Sequence, residues 1–169
     1  MLSSERLMLP ELPLSVVHKR LERPNFRAEL ATPAGTLSVT FPDSWPGDAL
    51  PIFPLLLESA DPTGQFILID HSLALAVGLM GSKGGPNEQG DLEIGYGLNL
   101  EHWGRGYATE ALRALLPHWQ ATRGVRRVTA ETSVSNAASA RVLEKCGFVR
   151  VGEDWNQDDG PLLLWATES

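Results

Sequence analysis

The sequence predicts an α+β fold, in which a mostly antiparallel β-sheet carries helices on its faces. Residues 91–100, DLEIGYGLNL, place an apolar side chain at every second position, which is the period of a half-buried strand. Residues 107–122 instead place apolar side chains along one stripe of a helix. Residues 136–147 begin with an asparagine suited to cap a helix and end with a glycine suited to stop one.

The length and composition predict one soluble globular domain over residues 1–169. Hydrophobic residues make up 43% of the chain and charged residues 21%, which is ordinary for such a domain. No apolar run approaches the roughly 20 residues that span a bilayer, and the N-terminus lacks the pattern of a secretory signal. The single cysteine, Cys146, excludes an internal disulfide. These features predict a cytoplasmic protein without a membrane partner.

The net charge of −7 bears on the class of partner. Proteins that bind nucleic acid present a basic face, so this charge argues against direct binding of nucleic acid. An acidic protein attracts a cationic partner, such as an amine, at long range. The four histidines and the one cysteine show no ligand spacing, so we expect no metal site.

The N-terminal half of the chain predicts strands and helices in alternation. Residues 5–9 predict a short strand, and residues 13–22 carry apolar side chains at helical spacing. Five of the twelve prolines fall within residues 41–62, which predicts rigid turns and a short helix. Residues 66–80 predict two strands around a turn.

Two helices and three further strands are expected after residue 100. Pro117 lies inside the first helix and predicts a kink or an early end there. Residues 125–133 predict a strand that lies between the two helices. The segments 148–155 and 160–167 predict a closing hairpin, whose exposed edge would suit a homodimer.

The segment EHWGRGYATEA, residues 101–111, places Gly104 and Gly106 directly before a predicted helix. Glycine permits a close approach of the backbone, and a helix start offers free N–H groups and the positive end of the helix dipole. Arg105 is able to contact phosphate oxygens with two nitrogens at once. This combination predicts a site for a diphosphate.

The surrounding residues favour one class of diphosphate ligand. The phosphate-binding P-loop pattern is absent, and the dinucleotide pattern would need glycine or alanine where Thr109 stands. Gly95 and Gly97 in the preceding strand indicate a bulge or a close backbone neighbour. An extended molecule with amide groups beside that strand would explain both glycines. Pantetheine is such a molecule, and in coenzyme A it is joined to a diphosphate, which indicates coenzyme A as the ligand.

Two stretches, LEIGYGLNLEHWGRGYATEAL and VTAETSVSNAASARVLEKCGF, resemble the GNAT superfamily of acyl-CoA-dependent N-acetyltransferases, in particular its RimJ/RimL-like branch. The resemblance implies a GNAT fold, with a mixed, mostly antiparallel sheet of about six to seven strands and helices on both faces. It also implies acetyl-CoA as cosubstrate and direct transfer of the acetyl group to a primary amine in a ternary complex. The acetyl-CoA-binding core would cover about 75–152, the acceptor-side elements about 10–65, and the C-terminal hairpin about 148–167.

The resemblance further implies roles for individual residues. Amides from Trp103 to Ala108 would hold the diphosphate, and Ile94 to Leu98 would pair with pantetheine through the main chain. The N–H near Leu98 would stabilise the thioester oxyanion. The expected cofactor-binding residues are Ile94, Tyr96, Leu98, Trp103, Gly104, Arg105, Gly106, Tyr107, Ala108, Thr109, Asn136 and Ser139. Glu101 stands where the family motif has glutamine or arginine.

The base and the acid of the reaction have alternative candidates. We expect Glu93 to accept the proton of the amine, with Glu131 as a close rival, and either carboxylate would attract a cationic amine. The tyrosine that many GNAT enzymes use as the acid is replaced by Leu143. Ser139 is the nearest hydroxyl, although it is also the N3 position of a capped helix, and a thiolate is able to leave without an acid.

The acceptor is left open by the sequence. Trp45 either lines the pocket of the acceptor or fills the core. The branch suggests a protein N-terminus, while a polyamine, an amino acid or an antibiotic are alternatives among small amines. A non-catalytic sensor of acyl-CoA is a further hypothesis, since the usual tyrosine is missing.

Overall fold

A computed structural model describes residues 1–168, and within them the chain forms ten β-strands and four α-helices. In chain order these elements are β1 (Leu2–Ser3), β2 (Leu7–Leu9), α1 (Leu14–Glu22), β3 (Phe26–Thr32), β4 (Gly35–Phe41), α2 (Phe53–Ser59), β5 (Gln65–Asp70), β6 (Leu75–Ser82), β7 (Asp91–Leu98), α3 (Tyr107–Gln120), β8 (Arg127–Ser133), α4 (Ala137–Lys145), β9 (Val149–Asn156) and β10 (Gly160–Ala166). The predicted α+β class is confirmed, but the expected six to seven strands were too few.

The chain divides into two compact units. The N-terminal unit comprises Met1–Gly81 and Tyr96–Ala111, and the C-terminal unit comprises Ser82–Gly95 and the chain from Leu112 onward. Strand β7 and helix α3 each contribute residues to both units. The single domain over 1–169 stays a prediction.

In the N-terminal unit, strands β1, β2, β5 and β6 pair in that order and are antiparallel. Strand β4 pairs with β3 antiparallel and meets β6 in parallel, through Thr40 and Leu75. The β3–β4 hairpin accounts for part of the undercount. Apolar and polar residues alternate from Phe26 to Leu30, and Gly35 stands at the turn; these are strand signals in the sequence that the predicted strands did not include.

The core of the N-terminal unit is built around aromatic side chains. Trp45 is fully buried and contacts Phe41 and Phe53 edge to face, with ring centroids 4.7 Å and 5.5 Å apart. Its indole nitrogen Nε1 donates a hydrogen bond to the Gly78 carbonyl oxygen at 2.9 Å. Of the two roles considered for Trp45, the structure therefore places it in the core.

In the C-terminal unit, β7 runs parallel to β8, with register pairs from Asp91–Arg127 to Ile94–Ala130. Strand β10 pairs antiparallel with both β8 and β9, which confirms the predicted closing hairpin. The parallel and antiparallel pairs together make the sheet pairing mixed, as the resemblance implied.

Both predicted helices of the C-terminal half are present. The Asn136 side chain accepts a hydrogen bond from the Ser139 N–H at 3.1 Å and caps α4. The helix ends in the expected Schellman closure, since Gly147 has φ of +88° and the Phe148 N–H donates to the Leu143 carbonyl at 3.0 Å. Helix α3 continues past Pro117 to Gln120, so the early end considered for it does not occur.

No described helix combines the length and the apolar character that crossing a bilayer requires.

The close backbone neighbour predicted for Gly97 is confirmed, but it belongs to the chain itself. A Cβ on Gly97 would lie 2.5 Å from the Pro46 carbonyl oxygen and 2.7 Å from the Ala49 nitrogen. The explanation by pantetheine is therefore wrong at this glycine. At Gly95 a Cβ would lie 3.2 Å from Cε of Lys83, which is a side-chain contact.

We predict that Gly97→Ala destabilises the protein by about 1–3 kcal/mol, because the added methyl would overlap backbone atoms that have little freedom to move. Gly152→Ala is the matched control on a strand, since its Cβ would meet Leu164 Cδ1 at an ordinary 3.5 Å. Urea unfolding of both variants measures the difference. Equal free energies of unfolding for the two variants would show that the turn at 46–49 moves away from the added methyl group without a loss of stability.

Candidate functional site

The loop between β7 and α3 has the backbone conformation expected of an anion site. Gly104 has φ of +75° and Gly106 has φ of +79°, a region that residues with a Cβ rarely adopt. Apart from Gly104 and its chain neighbours Trp103 and Arg105, no described residue has a heavy atom within 4 Å of the position that a Cβ on Gly104 would take. The loop backbone is thus uncovered on that side of Gly104, immediately before the N-terminus of a fourteen-residue helix.

A buried asparagine fixes the turn that leads into this loop. The Asn99 N–H donates to Val77 O at 2.9 Å, and its side-chain Nδ2 donates to Ala76 O at 2.8 Å. The Asn99 carbonyl accepts from the His102 N–H at 2.9 Å. The indole of Trp103 donates from Nε1 to Leu98 O at 3.1 Å, while 55% of the Trp103 residue surface remains exposed. The loop therefore begins from a rigid base.

Glu101, the residue that departs from the family motif, faces the proline-rich segment. The Ser44 hydroxyl donates to Glu101 Oε1 at 2.5 Å. This hydrogen bond is the main reason that the pKa of Glu101 lies below its ordinary value. The carboxylate is thus occupied by a partner outside the loop.

A second glycine contact brings the proline-rich segment onto the end of β7. Gly47 has φ of +64°, and a Cβ there would lie 2.3 Å from Leu98 O and 3.0 Å from Leu98 N. The main chain of Leu98, where we expected the oxyanion donor, is therefore packed against the backbone of Gly47. In the sequence, Gly47 itself is the one sign of this contact.

The first turn of α3 is held by side chains from distant parts of the N-terminal unit. Tyr107 is buried, and its hydroxyl donates to Asp70 Oδ2 at 2.5 Å. Glu110 accepts hydrogen bonds from the Ser4 hydroxyl at 2.5 Å and from Arg6 Nε at 2.7 Å. The Arg6 guanidinium also lies 4.4 Å from the centroid of the Tyr107 ring. Ala108 is buried and Thr109 is half-buried in the same turn.

The two candidate bases lie in the C-terminal unit, in different environments. Glu93 forms an ion pair with Lys83, with Nζ and Oε2 2.7 Å apart. Glu131 is an exposed residue of β8, but partial desolvation of its carboxyl raises its pKa first, and the negative charge of Glu93 raises it further, while Lys83 opposes the shift. Lys83, which was not among the predicted site residues, lies in the loop after β6.

The remaining predicted residues also have defined positions. Ile94 is buried and pairs with Ala130 in the β7–β8 ladder, and Tyr96 and Leu98 lie further along the same strand. Asn136 and Ser139 stand together at the start of α4, joined by the capping hydrogen bond.

Comparison with protein families decides the assignment. Residues 44–149 match the family model described as an acetyltransferase (GNAT) domain, which is more than half of the chain. The chain belongs to the GNAT acetyltransferase family. The prediction of a GNAT acetyltransferase is confirmed, and with it the predicted fold class.

Individual relatives agree with this membership. An uncharacterized N-acetyltransferase, YjdG, from Bacillus subtilis (strain 168) is 34% identical over 113 residues, which cover 62% of this chain and 67% of the relative. The ribosomal-protein-serine acetyltransferase of Escherichia coli (strain K12) is 37% identical over 60 residues, 36% of this chain and 34% of the relative. The chain thus spans between about a third and two thirds of the length of these two relatives.

Solved structures show the same fold at low sequence identity. A GNAT-family acetyltransferase from Bacillus anthracis has a TM-score of 0.66 at 18% identity, over 98% of this chain and 96% of that chain. AAC(6')-Ib in complex with ribostamycin and coenzyme A has a TM-score of 0.65 at 20% identity, over 96% and 93%.

We predict that Tyr107→Phe lowers the free energy of unfolding by about 1–3 kcal/mol at neutral pH, because the buried Asp70 carboxylate loses a hydrogen bond. Burial acts to raise the pKa of Asp70, but the hydrogen bonds from Tyr107 and Ser72 outweigh it and lower the pKa. A lowered pKa stabilises the protein above the ordinary value for aspartate, and this contribution disappears as the pH falls through the folded-state pKa.

The difference between Tyr107→Phe and the parent should therefore shrink in acid. Denaturant unfolding at neutral pH and at about pH 3 tests both parts of this prediction. A difference that does not change with pH would assign the effect to packing alone.

Proposed function

We propose that this chain transfers the acetyl group of acetyl-CoA to a primary amine by direct attack in a ternary complex. The observation that carries the proposal is the uncovered loop at Gly104, whose two glycines have left-handed backbone at the start of α3. Such a loop offers main-chain N–H groups to a diphosphate and adds the field of the helix N-terminus. Membership of the GNAT family supports acetyl-CoA as the molecule that brings this diphosphate.

The loop residues take the roles that the resemblance implied. We assign the diphosphate to the amides of residues 103–109 and to the guanidinium of Arg105, which is exposed. The side chain of Tyr107 is buried against Asp70, so its contribution would come from its amide. The pantetheine arm would lie along β7 from Ile94 to Leu98, as the resemblance implied.

We assign the oxyanion to the N–H of Leu98. An oxyanion donor must be oriented before the reaction, since reorientation during the reaction costs free energy. Gly47 packs against the Leu98 main chain, and Trp103 donates to the Leu98 carbonyl. These two contacts support the proposal because they restrict rotation of the peptides on both sides of Leu98.

For the proton acceptor, the environments of the two glutamates support Glu131. A base must bind a proton readily near the working pH, and a raised pKa brings a carboxylate toward that condition. One carboxylate oxygen of Glu93, Oε2, already contacts the Lys83 ammonium at 2.7 Å. We therefore propose that Glu131 accepts the proton, while Glu93, the base first expected, sets the pKa of Glu131 and attracts the amine.

The departing thiolate has one candidate donor in the predicted set. Ser139 lies half-buried in the first turn of α4, beside the capping Asn136. We propose that these two residues face the sulfur end of pantetheine. A thiolate of ordinary pKa also leaves without an acid, so replacing Ser139 with alanine should cost less than replacing Glu131.

The acceptor and the cellular context are proposals from the sequence. The partial similarity to a ribosomal-protein-serine acetyltransferase supports a protein N-terminus and the RimJ/RimL-like branch. The net charge of −7 equally suits a small cationic amine. A homodimer through the β9 edge and a cytoplasmic location also stay predictions.

The acceptor classes separate in one assay. Thiol release from acetyl-CoA is measured with peptides, polyamines, amino acids and aminoglycosides as acceptors. Turnover with a single class identifies the acceptor. Binding of acetyl-CoA without turnover on any acceptor would favour a non-catalytic sensor.

We predict that Gly104→Val abolishes binding of acetyl-CoA, because a branched side chain would occupy the uncovered face of the loop. Gly84→Val is the matched control for backbone strain. Gly84 has φ of +76° against +75° for Gly104, and at both positions no described residue beyond the immediate chain neighbours has an atom within 4 Å of the Cβ position. Calorimetric titration should detect acetyl-CoA binding to Gly84→Val only. Equal affinities for both variants would reject the loop as the site.

We predict that Glu131→Gln lowers turnover by about 10²–10⁴-fold, the usual contribution of a general base. Glu93→Gln should have a smaller effect and move the acid limb of the pH–rate profile to lower pH, because it removes the negative charge that raises the pKa of Glu131. Rates between pH 5 and 9 for both variants check this. A larger loss for Glu93→Gln, with no shift of the limb, would return the role of base to Glu93.

A further inference from the structure

We propose that Arg6, from the N-terminal segment, supplies positive charge to the diphosphate site. This inference rests on the proposed function, because it assumes that the loop at residues 103–109 binds the diphosphate of acetyl-CoA. It adds a residue that lies about a hundred positions before the loop and outside the motif that predicted it. Three contacts of the Arg6 guanidinium group support the proposal.

The contacts of Arg6 leave its outer edge directed at the loop. Arg6 Nε donates to Glu110 Oε1 at 2.7 Å, and the Arg6 main-chain N–H donates to Glu110 Oε2 at 2.8 Å. Its Nη2 lies 3.4 Å from the position that a Cβ on Gly106 would take, which is ordinary contact distance. The ion pair uses Nε, and Nη2 is the Arg6 nitrogen that lies beside the loop glycine.

The guanidinium is also held in place before any ligand arrives. Its stacking over Tyr107 at 4.4 Å and its bond to Glu110 restrain the plane of the group. The Arg6 side chain is nevertheless 40% exposed, so part of it faces solvent. A restrained cation with an exposed edge is suited to bind phosphate oxygens, because little side-chain entropy is lost on binding.

The charges around the loop are a second argument that Arg6 affects binding of the diphosphate. Two acids, Glu101 and Glu110, stand at the two ends of the loop, where they would repel a diphosphate. Burial acts to raise the pKa of Glu110, but hydrogen bonds from Ser4 and Arg6 outweigh it, so the carboxylate stays charged. Arg6 neutralises that charge and leaves Arg105 free to act on the ligand.

Two substitutions break the same ion pair but change the charge in opposite directions. Arg6→Met removes the cation and leaves Glu110 uncompensated. Glu110→Gln removes the anion and leaves the Arg6 cation in place. If Arg6 supplies charge to the ligand, we expect Arg6→Met to weaken acetyl-CoA binding by about tenfold, the size of one charge contact at a partly exposed site. Binding to Glu110→Gln should equal or exceed that of the parent.

The measurement is calorimetric titration of acetyl-CoA into each full-length variant at low and at high NaCl concentration. The salt dependence should be weaker for Arg6→Met than for the parent, because a charge contact has been lost. Arg6→Gln serves as a second variant, since its amide is able to keep a hydrogen bond to Glu110 if Arg6→Met does not fold. We expect Arg6→Gln also to bind more weakly than the parent.

The results that would overturn the role of Arg6 differ from the result that would reject the proposed function. Equal weakening by Arg6→Met and Glu110→Gln would show that the ion pair only braces the N-terminal segment, and would overturn the role of Arg6. Unchanged affinity in the two Arg6 variants, with binding still lost in Gly104→Val, would also overturn it and leave the site intact. A parent protein that does not bind acetyl-CoA would instead reject the proposed function itself.

Discussion

The end of β7 depends on direct contact between backbone segments that carry no side chains at the point of contact. Gly97 lies against the turn at Pro46 to Ala49, and Gly47 lies against Leu98. A Cβ on Gly78 would in turn lie 2.5 Å from the Gly97 carbonyl oxygen. Because backbone packs this closely only where Cβ atoms are missing, these glycines set the position of Leu98 and of the loop that follows it.

Electrostatics then divides the acidic residues into two groups with different tasks. In the N-terminal unit, Glu101 accepts a hydrogen bond from Ser44, and Glu110 accepts hydrogen bonds from Ser4 and Arg6. These hydrogen bonds hold the two ends of the loop in place. In the C-terminal unit, Glu131 is exposed, and partial desolvation of its carboxyl and the charge of Glu93 raise its pKa. A carboxylate beside a like charge gains a proton more readily than one with hydrogen-bond donors around it, and the role proposed for Glu131 uses this difference.

The motif from Gly104 to Gly106 shows how far local sequence reasoning reaches. Glycines before a helix predicted an anion site, and the structure shows left-handed backbone and an uncovered face there. The same reasoning misread Gly97, because a glycine reports that something approaches closely and does not report what approaches. Here the neighbour is the chain's own proline-rich turn, which is fifty residues away in sequence.

The sequence by itself determined the family, the α+β class, the caps of α4 and the open glycine loop before α3, because each rests on residues that are close together along the chain. Only the tertiary structure decided that Trp45 fills the core, that Glu101 binds Ser44, that Arg6 reaches Glu110 and that Lys83 pairs with Glu93. Each of these depends on side chains that meet through folding, and the pattern of residues around one partner carries no signal for the other.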